Sequence, residues 1–272
     1  TITLIMAKAI ISSTYDDKYL YFIPIVTWCW NRLGVDVICF VPEINDSKTY
    51  QKPALIVDTM GAQNLKCKIH TFSAPEHKEA TYAQCSRLYG ACLDLPEDEV
   101  LITSDVDMAV FQIPANVSGT FSVYGYDLVP EGQMPMCYLT ASVKQWRETF
   151  GLDGKSYQQC LDEILGHEEM ENMRGNLWSR DQEIAYDKIT NRFSHTAIKR
   201  ARPGTQFAEN RYDRDDAFIL DRLSPDTIDF HMPRPGYEPQ NFEIIMKILK
   251  YHYPNDNFDW LGSYNERYKQ LL

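Results

Sequence analysis

Strand-like and helix-like segments alternate along the first half of the chain, and this alternation limits the fold more than any other feature of the sequence. Apolar, β-branched runs predict strands at 3–13, 35–41, 67–72 and 99–104. Amphipathic segments between them predict helices at 19–33 and 75–93. Strands separated by helices form parallel sheets, which bind ligands at the carboxyl ends of their strands. The sequence therefore predicts an α/β fold.

The second half of the chain has a less regular pattern. Short apolar runs predict strands at 119–126, 136–140 and 228–232, and helical periodicity is found at 143–150, 157–165, 181–189 and 242–251. A polar, arginine-rich loop is expected at 199–216. Because no stretch resembles a linker, all 272 residues are expected to form a single domain.

The charge balance and the cysteines limit partners and compartment. The chain has 27 Lys and Arg against 38 Asp and Glu, a net charge of -11, which disfavours binding to nucleic acid or anionic lipid. No apolar run is long enough for a membrane span, and residues 1–11 predict a first strand rather than a secretion signal. The seven cysteines include no C-x-x-C pair. Reduced thiols and a cytoplasmic location are therefore expected.

The sequence L-I-T-S-D-V-D-M-A-V-F at 101–111 carries the strongest chemical signal. An apolar strand ends there in two carboxylates, Asp105 and Asp107. In an extended chain, side chains two residues apart point the same way, so both carboxylates are expected to face one hard cation such as Mg²⁺ or Mn²⁺. Acidic pairs in turns are often merely solvated. The position after a buried strand favours the metal interpretation.

This arrangement resembles the GT-A family of nucleotide-sugar glycosyltransferases. Downstream, Trp178-Ser179-Arg180-Asp181-Gln182 looks like the family's D-Q element, and 229–234, D-F-H-M-P-R, is similar to its C-terminal metal-binding segment. The resemblance implies a GT-A (Rossmann-like) mixed sheet flanked by helices. It implies a nucleotide-sugar half at 1–112, an acceptor half at 113–272, Mn²⁺ or Mg²⁺ as cofactor, a UDP-sugar donor and a glycan acceptor. The chain also looks similar to small glycosyltransferases of large algal DNA viruses, which adds xylose to glucose as an expected sugar.

The resemblance also implies roles for particular residues. Asp107 and His231 are expected as metal ligands, and Asp105 is expected to bridge metal and ribose. Asp181 is the expected general base of an inverting transfer. The residues expected to contact the donor are Ser12, Ser13, Tyr15, Arg87, Asp105, Gln182 and Arg234, with the Tyr15 ring stacked on uracil.

Each of these residues also has a purely structural interpretation. His231 is equally well a structural histidine, and Asp181 a carboxylate favoured by a helix N-terminus. Arg87 is equally well part of an ion pair, and Gln182 an ordinary helix residue. For Arg234 a solvated loop cation is the favoured interpretation.

Three other functions share part of the pattern. A dehalogenase-type phosphatase also uses D-x-D, but its motif follows the first strand. A sugar-nucleotide-forming nucleotidyltransferase shares the metal chemistry, but it requires a Gly- and Lys-rich first loop, whereas 12–17 reads S-S-T-Y-D-D. A non-catalytic carbohydrate-binding protein accounts for the aromatic residues. It does not account for the D-x-D pair, the D-Q element and the histidine segment occurring in this order. The last two remain the alternatives to a glycosyltransferase.

Overall fold

The computed structural model describes residues 7–43, 50–113, 121–124, 130–165, 177–193, 199–200 and 211–272. Four parallel strands form one side of the main sheet, in the order β3-β2-β1-β4. They are β1 (Ala7–Ser12), β2 (Asp36–Pro42), β3 (Cys67–Phe72) and β4 (Val100–Thr103). The parallel arrangement expected from the alternating pattern is confirmed.

The strands of the second half extend this sheet and add a smaller one. Beyond β4 the main sheet continues with β7 (Leu139–Ser142), β6 (Ser122–Val123) and β8 (Lys199–Arg200). The pairing of β7 with β4 is antiparallel, so the sheet is mixed. A three-stranded sheet contains β5 (Met108–Val110), β10 (Asp229–His231) and β9 (Arg211–Tyr212) in that order. Because β4 pairs with β7, the main sheet joins the two expected halves; the roles of 1–112 and 113–272 stay predictions.

Helices flank the main sheet. In the first half they are α1 (Asp17–Leu20), α2 (Ile23–Arg32), α3 (Gln51–Ala62) and α4 (Glu79–Ser86), which continues as a 3-10 helix at Arg87–Cys92. In the second half they are α5 (Val143–Phe150), α6 (Tyr157–Asp162), α7 (Arg180–Arg192), α8 (Pro239–His252) and α9 (Asp259–Lys269). Short 3-10 helices lie at Glu163–Leu165 and Ile219–Arg222. Among these helices none is both long and apolar enough to cross a membrane.

The main sheet separates two hydrophobic cores. Ala9 and Ile11 of β1 lie in the core that contains α2, α8 and α9, whereas Ile10 lies in the core that contains α5 and α7. Neighbouring strand residues face opposite sides, so this division follows from the alternation of side chains along the strand. Apolar residues cover both faces, as is typical of parallel strands. The expected mixed sheet flanked by helices is confirmed.

Several local expectations are wrong, and each has a backbone reason. The extended chain expected through Asp105 and Asp107 is a turn, in which the Met108 N–H donates to the Asp105 carbonyl at 3.2 Å. The single helix expected at 19–33 is two helices, because Pro24, which has no N–H, lies in the first turn of α2. The helix expected from Pro75 begins at Glu79. The sequence pattern also missed α3, β5 and α9.

Gly236 lies where even a methyl group has no room. A Cβ at this position would lie 2.5 Å from Phe22 and 2.9 Å from Tyr21, and both of those rings are fully buried. Gly236→Ala is expected to lower the free energy of unfolding by about 1–3 kcal/mol, because the buried rings must shift. Urea denaturation measures the change. Gly262→Ala in α9 meets no atom within 4 Å and is the control, expected to be neutral or stabilising by up to about 1 kcal/mol. Equal stability of the two variants would contradict the packing argument.

Candidate functional site

A cleft of about 440 Å³ opens at the carboxyl ends of β1 and β4. Ser12 and Ser13 line it at the end of β1, and Asp105 and Asp107 line it from the turn that follows β4. The start of α7 and one face of α4 form another wall. The cleft therefore lies where ligands bind in open α/β sheets.

Arg87 connects two carboxylates from different parts of the chain. It is the first residue of the 3-10 helix after α4 and is 5% exposed. Its Nη1 donates to the Asp105 carboxylate and to the Ser104 carbonyl, the latter at 3.1 Å. Its Nη2 donates to Asp181 Oδ2 at 2.7 Å, and its Nε donates to the Gln84 carbonyl at 3.2 Å. One buried guanidinium thus holds the Asp105 turn against the first turn of α7.

The two carboxylates bound by Arg87 have opposite pKa shifts. Removal from water acts to raise the pKa of Asp105, but the charge of Arg87 and hydrogen bonds from Cys137 and Arg87 bring it below its ordinary range. At Asp181, which is 2% exposed, burial outweighs Arg87, and the pKa is raised. Asp105 is therefore the stronger acid, and the Asp181 carboxylate is the better proton acceptor of the two.

A second cluster of charges surrounds Asp107, which is 4% exposed. Its Oδ2 accepts a hydrogen bond from Arg214 Nη1 at 2.9 Å, and Arg234 Nε lies 3.4 Å from the same oxygen. His231 Nε2 lies 3.5 Å from it. The antiparallel pairing of β5 with β10, in which His231 faces Met108, brings these distant residues together. The cluster thus holds two arginines and His231 around Asp107, and the half-exposed Asp213 lies 3.7 Å from His231 Nδ1.

His231 has contacts that favour different protonation states. Burial lowers its pKa, but the carboxylates of Asp107 and Asp213 outweigh burial and raise the pKa to about 9. Arg214 Nη2 also contacts Nε2 of this ring. Since a guanidinium only donates, that contact requires a neutral ring.

The expected metal ligands are only partly brought together. Asp107 and His231 are adjacent, but the carboxylate of Asp105 turns toward Arg87. Among the described residues, no group of three or more His, Cys, Asp or Glu side chains is arranged to hold a metal ion. A carboxylate oxygen and an imidazole nitrogen 3.5 Å apart nevertheless suit a Mn²⁺ or Mg²⁺ ion between them, with phosphate oxygens and water filling the shell. Asp107 and His231 therefore fit the expected cation as a pair, without Asp105.

The residues expected to contact the donor divide into two groups. Ser12, Ser13, Arg87, Asp105, Gln182 and Arg234 all line the cleft. Tyr15 does not, because its hydroxyl donates to the Pro42 carbonyl at 2.7 Å at the end of β2. Near the first loop it is Tyr19 of α1 whose ring lines the cleft, with the Arg234 guanidinium 4.8 Å from the ring centre. The expected uracil contact of Tyr15 is therefore not supported.

Several cleft residues were missed by the sequence analysis. Arg211 and Arg214 belong to the loop that was recognised only as arginine-rich. Arg211 donates to Asp229 at 2.7 and 2.8 Å, and the Tyr138 hydroxyl donates to the same carboxylate at 2.7 Å. No periodic pattern marks such residues, so only the local excess of arginine indicated them.

Comparison with known proteins finds similarity in structure alone. No protein-family model and no curated protein matches the sequence. The glycosyltransferase GlyE of Streptococcus pneumoniae TIGR4 is 11% identical with a TM-score of 0.50, over 97% of this chain and 64% of that chain. This chain thus spans less than two thirds of the length of GlyE. The likeness shows that the two proteins share a fold, and the expected GT-A type of fold is confirmed.

Two structures of the galactosyltransferase LgtC are also similar. One, in complex with donor and acceptor sugar analogues, is 10% identical with a TM-score of 0.49, over 94% of this chain and 99% of that one. The other, an active-site mutant, is 10% identical with a TM-score of 0.49, over 97% of this chain and 94% of that one.

Arg214 is expected to compete with a divalent cation, because it binds the same atoms of Asp107 and His231. Arg214→Gln removes that charge and is expected to tighten Mn²⁺ binding to the nucleotide-free protein by about 10-fold. Electron paramagnetic resonance of free Mn²⁺ measures the affinity. Arg222→Gln is the matched control, since Arg222 is exposed and paired with Asp216. Unchanged or weaker Mn²⁺ binding by Arg214→Gln, or an equal gain in the control, would show that Arg214 does not compete.

Proposed function

We propose that this protein is a glycosyltransferase that moves a sugar from a nucleotide diphosphate to a hydroxyl group of a glycan. The observation that carries the proposal is a single cleft that gathers an Asp–His pair, two arginines that contact the same carboxylate, and a buried carboxylate at the start of a helix. The fold shared with GlyE, itself a glycosyltransferase, supports the same class. UDP is the favoured nucleotide because of the motifs that resemble GT-A enzymes. Glucose and xylose are the favoured sugars, and xylose is favoured only by the similarity to small glycosyltransferases of large algal DNA viruses.

The charges in the cleft suit a diphosphate. Arg87 is matched by Asp105 and Asp181, and Arg211 by Asp229. Arg214 and Arg234, in contrast, both contact the carboxylate of Asp107, and the half-exposed Asp213 lies 3.7 Å from the neighbouring His231 Nδ1. Guanidinium groups bind phosphate oxygens with paired hydrogen bonds, so these two arginines are the groups proposed to bind the donor's phosphates.

Asp107 and His231 are the proposed holders of Mn²⁺ or Mg²⁺. When bound, the cation supplies positive charge that stabilises the departing diphosphate. Asp107 contributes an anionic oxygen from the turn after β4, and His231 contributes its neutral Nε2 from β10. Asp105 lies two residues before Asp107, but its proposed role is to orient Arg87 and to contact the ribose.

Asp181 is the proposed general base. Its Oδ1 accepts from the Gln182 N–H at 2.9 Å and its Oδ2 accepts from Arg87, so each oxygen keeps a free lone pair. The raised pKa favours uptake of a proton from the acceptor hydroxyl. As that oxygen bonds to the anomeric carbon, the bond from this carbon to the phosphate oxygen breaks and the proton passes to Asp181. Attack opposite the leaving group inverts the carbon, so an α-linked donor yields a β-linked product.

UDP release from a panel of UDP- and GDP-sugars, including UDP-glucose and UDP-xylose, tests the proposed function. The wild-type protein is expected to hydrolyse or transfer from at least one donor, and excess EDTA is expected to abolish the reaction. Asp181→Asn keeps the shape of the side chain but removes the base, so the rate is expected to fall about 10²- to 10⁴-fold. Binding of UDP, measured by calorimetry, is expected to persist in this variant.

The matched control is Asp187→Asn, which makes the same change on the exposed face of α7. It is expected to keep wild-type activity. If no donor in the panel is consumed, the glycosyltransferase proposal is wrong. Full transfer by Asp181→Asn would leave the enzyme class intact but remove Asp181 as base, and an α-linked product would overturn inversion.

A further inference from the structure

Trp178 is an exposed aromatic side chain in a cleft that is otherwise lined mostly by polar groups. Its side chain is 61% exposed. Among the large hydrophobic residues that the structure describes as exposed, it is the only one that lines this cleft. Covering an exposed indole ring with the apolar face of a ligand removes apolar surface from water, which favours binding.

The backbone beside Trp178 is fixed. The Leu177 N–H donates to the Thr81 hydroxyl of α4 at 2.7 Å, and the Leu177 carbonyl accepts from the Arg180 N–H at 3.3 Å. The Leu177 side chain packs against the core that contains α5 and α7. The ring is therefore presented by an anchored segment that leads directly into α7.

The two sides of the cleft differ in charge. The side formed by α4 and the start of α7 contributes Ala80, Ala83, Gln84, Trp178 and Gln182, all uncharged, together with Asp181. The charge of Asp181 is matched by Arg87. Arg214 and Arg234 instead contact Asp107, in the turn that follows β4. A phosphate is attracted to the arginine side, so the Trp178 side suits a neutral ligand.

A pyranose ring has the shape and chemistry that this side accepts. One face of the ring carries C–H groups that pack on an aromatic ring, and its rim carries hydroxyl groups. Gln84 and Gln182 both donate and accept hydrogen bonds, which suits those hydroxyls. Asp181 is 2% exposed and lies three residues after Trp178. A ring resting on the outer indole would therefore approach the carboxylate from the solvent side.

We infer that Trp178 is the stacking platform for the acceptor, a neutral pyranose of a glycan, and sets acceptor specificity. This inference rests on the proposed function for the identity of the acceptor. The sugar of the donor lies between the phosphates and Asp181, further inside the cleft. Trp178 therefore affects binding of the acceptor and leaves binding of the donor unchanged.

Saturation-transfer difference NMR tests the inference without turnover. The probes are the methyl β-glycosides of glucose, galactose and xylose, each with UDP present. The wild-type protein is expected to saturate at least one glycoside, most strongly on the ring face that carries the axial hydrogens. Trp178→Ala is expected to lose this signal, whereas Trp178→Phe keeps an aromatic face and retains it. Phe218→Ala is the matched control, because Phe218 is 66% exposed and does not line the cleft.

Kinetics supply a second readout. Trp178→Ala is expected to raise the acceptor KM roughly 5- to 100-fold. Saturation that persists in Trp178→Ala, or no saturation of any glycoside by the wild-type protein, would overturn the inference. If Trp178→Ala loses the saturation signal but the wild-type protein consumes no nucleotide sugar, the role of Trp178 as a platform is supported and the proposed function is contradicted.

Discussion

The guanidinium of Arg87 lies between the carboxylates of Asp105 and Asp181, and the geometry of the cleft depends on this contact. Asp105 follows β4 and Asp181 lies in the first turn of α7. Arg87 and Asp181 are both almost completely buried, and a buried charge without a partner is costly. Arg87 therefore specifies how α7 is placed relative to the sheet, and with it the distance from the phosphate side of the cleft to the proposed base.

The same contact separates the chemistry of the cleft into two parts. Because Arg87 is fully engaged with two carboxylates, it leaves the attraction of phosphates to Arg214 and Arg234. On the side near Trp178 the charge of Asp181 is matched by Arg87, so that side suits a sugar. A nucleotide sugar that spans the cleft would place its anionic part by Asp107 and its neutral part by Asp181. This division of charge gives the substrate one productive direction.

The sequence predicted those features that depend on local periodicity. The parallel strands, the helix that starts near Asp181 and the strand that carries His231 all follow from patterns of neighbouring residues. The direction in which the Asp105 side chain points could not be predicted. The chain after β4 forms a turn closed by a backbone hydrogen bond, and not the extended segment that the sequence pattern indicated. Tyr15 and Tyr19 are both near the first loop, and only the start of α1 decides which ring enters the cleft. Arg214 lies in an irregular loop, and tertiary packing alone places it beside Asp107.

The free energy of unfolding of Arg87→Met tests most directly whether Arg87 organises the site. This variant removes the guanidinium and leaves the Asp181 carboxylate buried without a counter-charge. Urea denaturation is expected to show a loss of about 3–5 kcal/mol, much of it recovered when Asp181→Asn is added to the same chain. A loss below about 1 kcal/mol, or no recovery in the double variant, would contradict a structural dependence on the Arg87 contact.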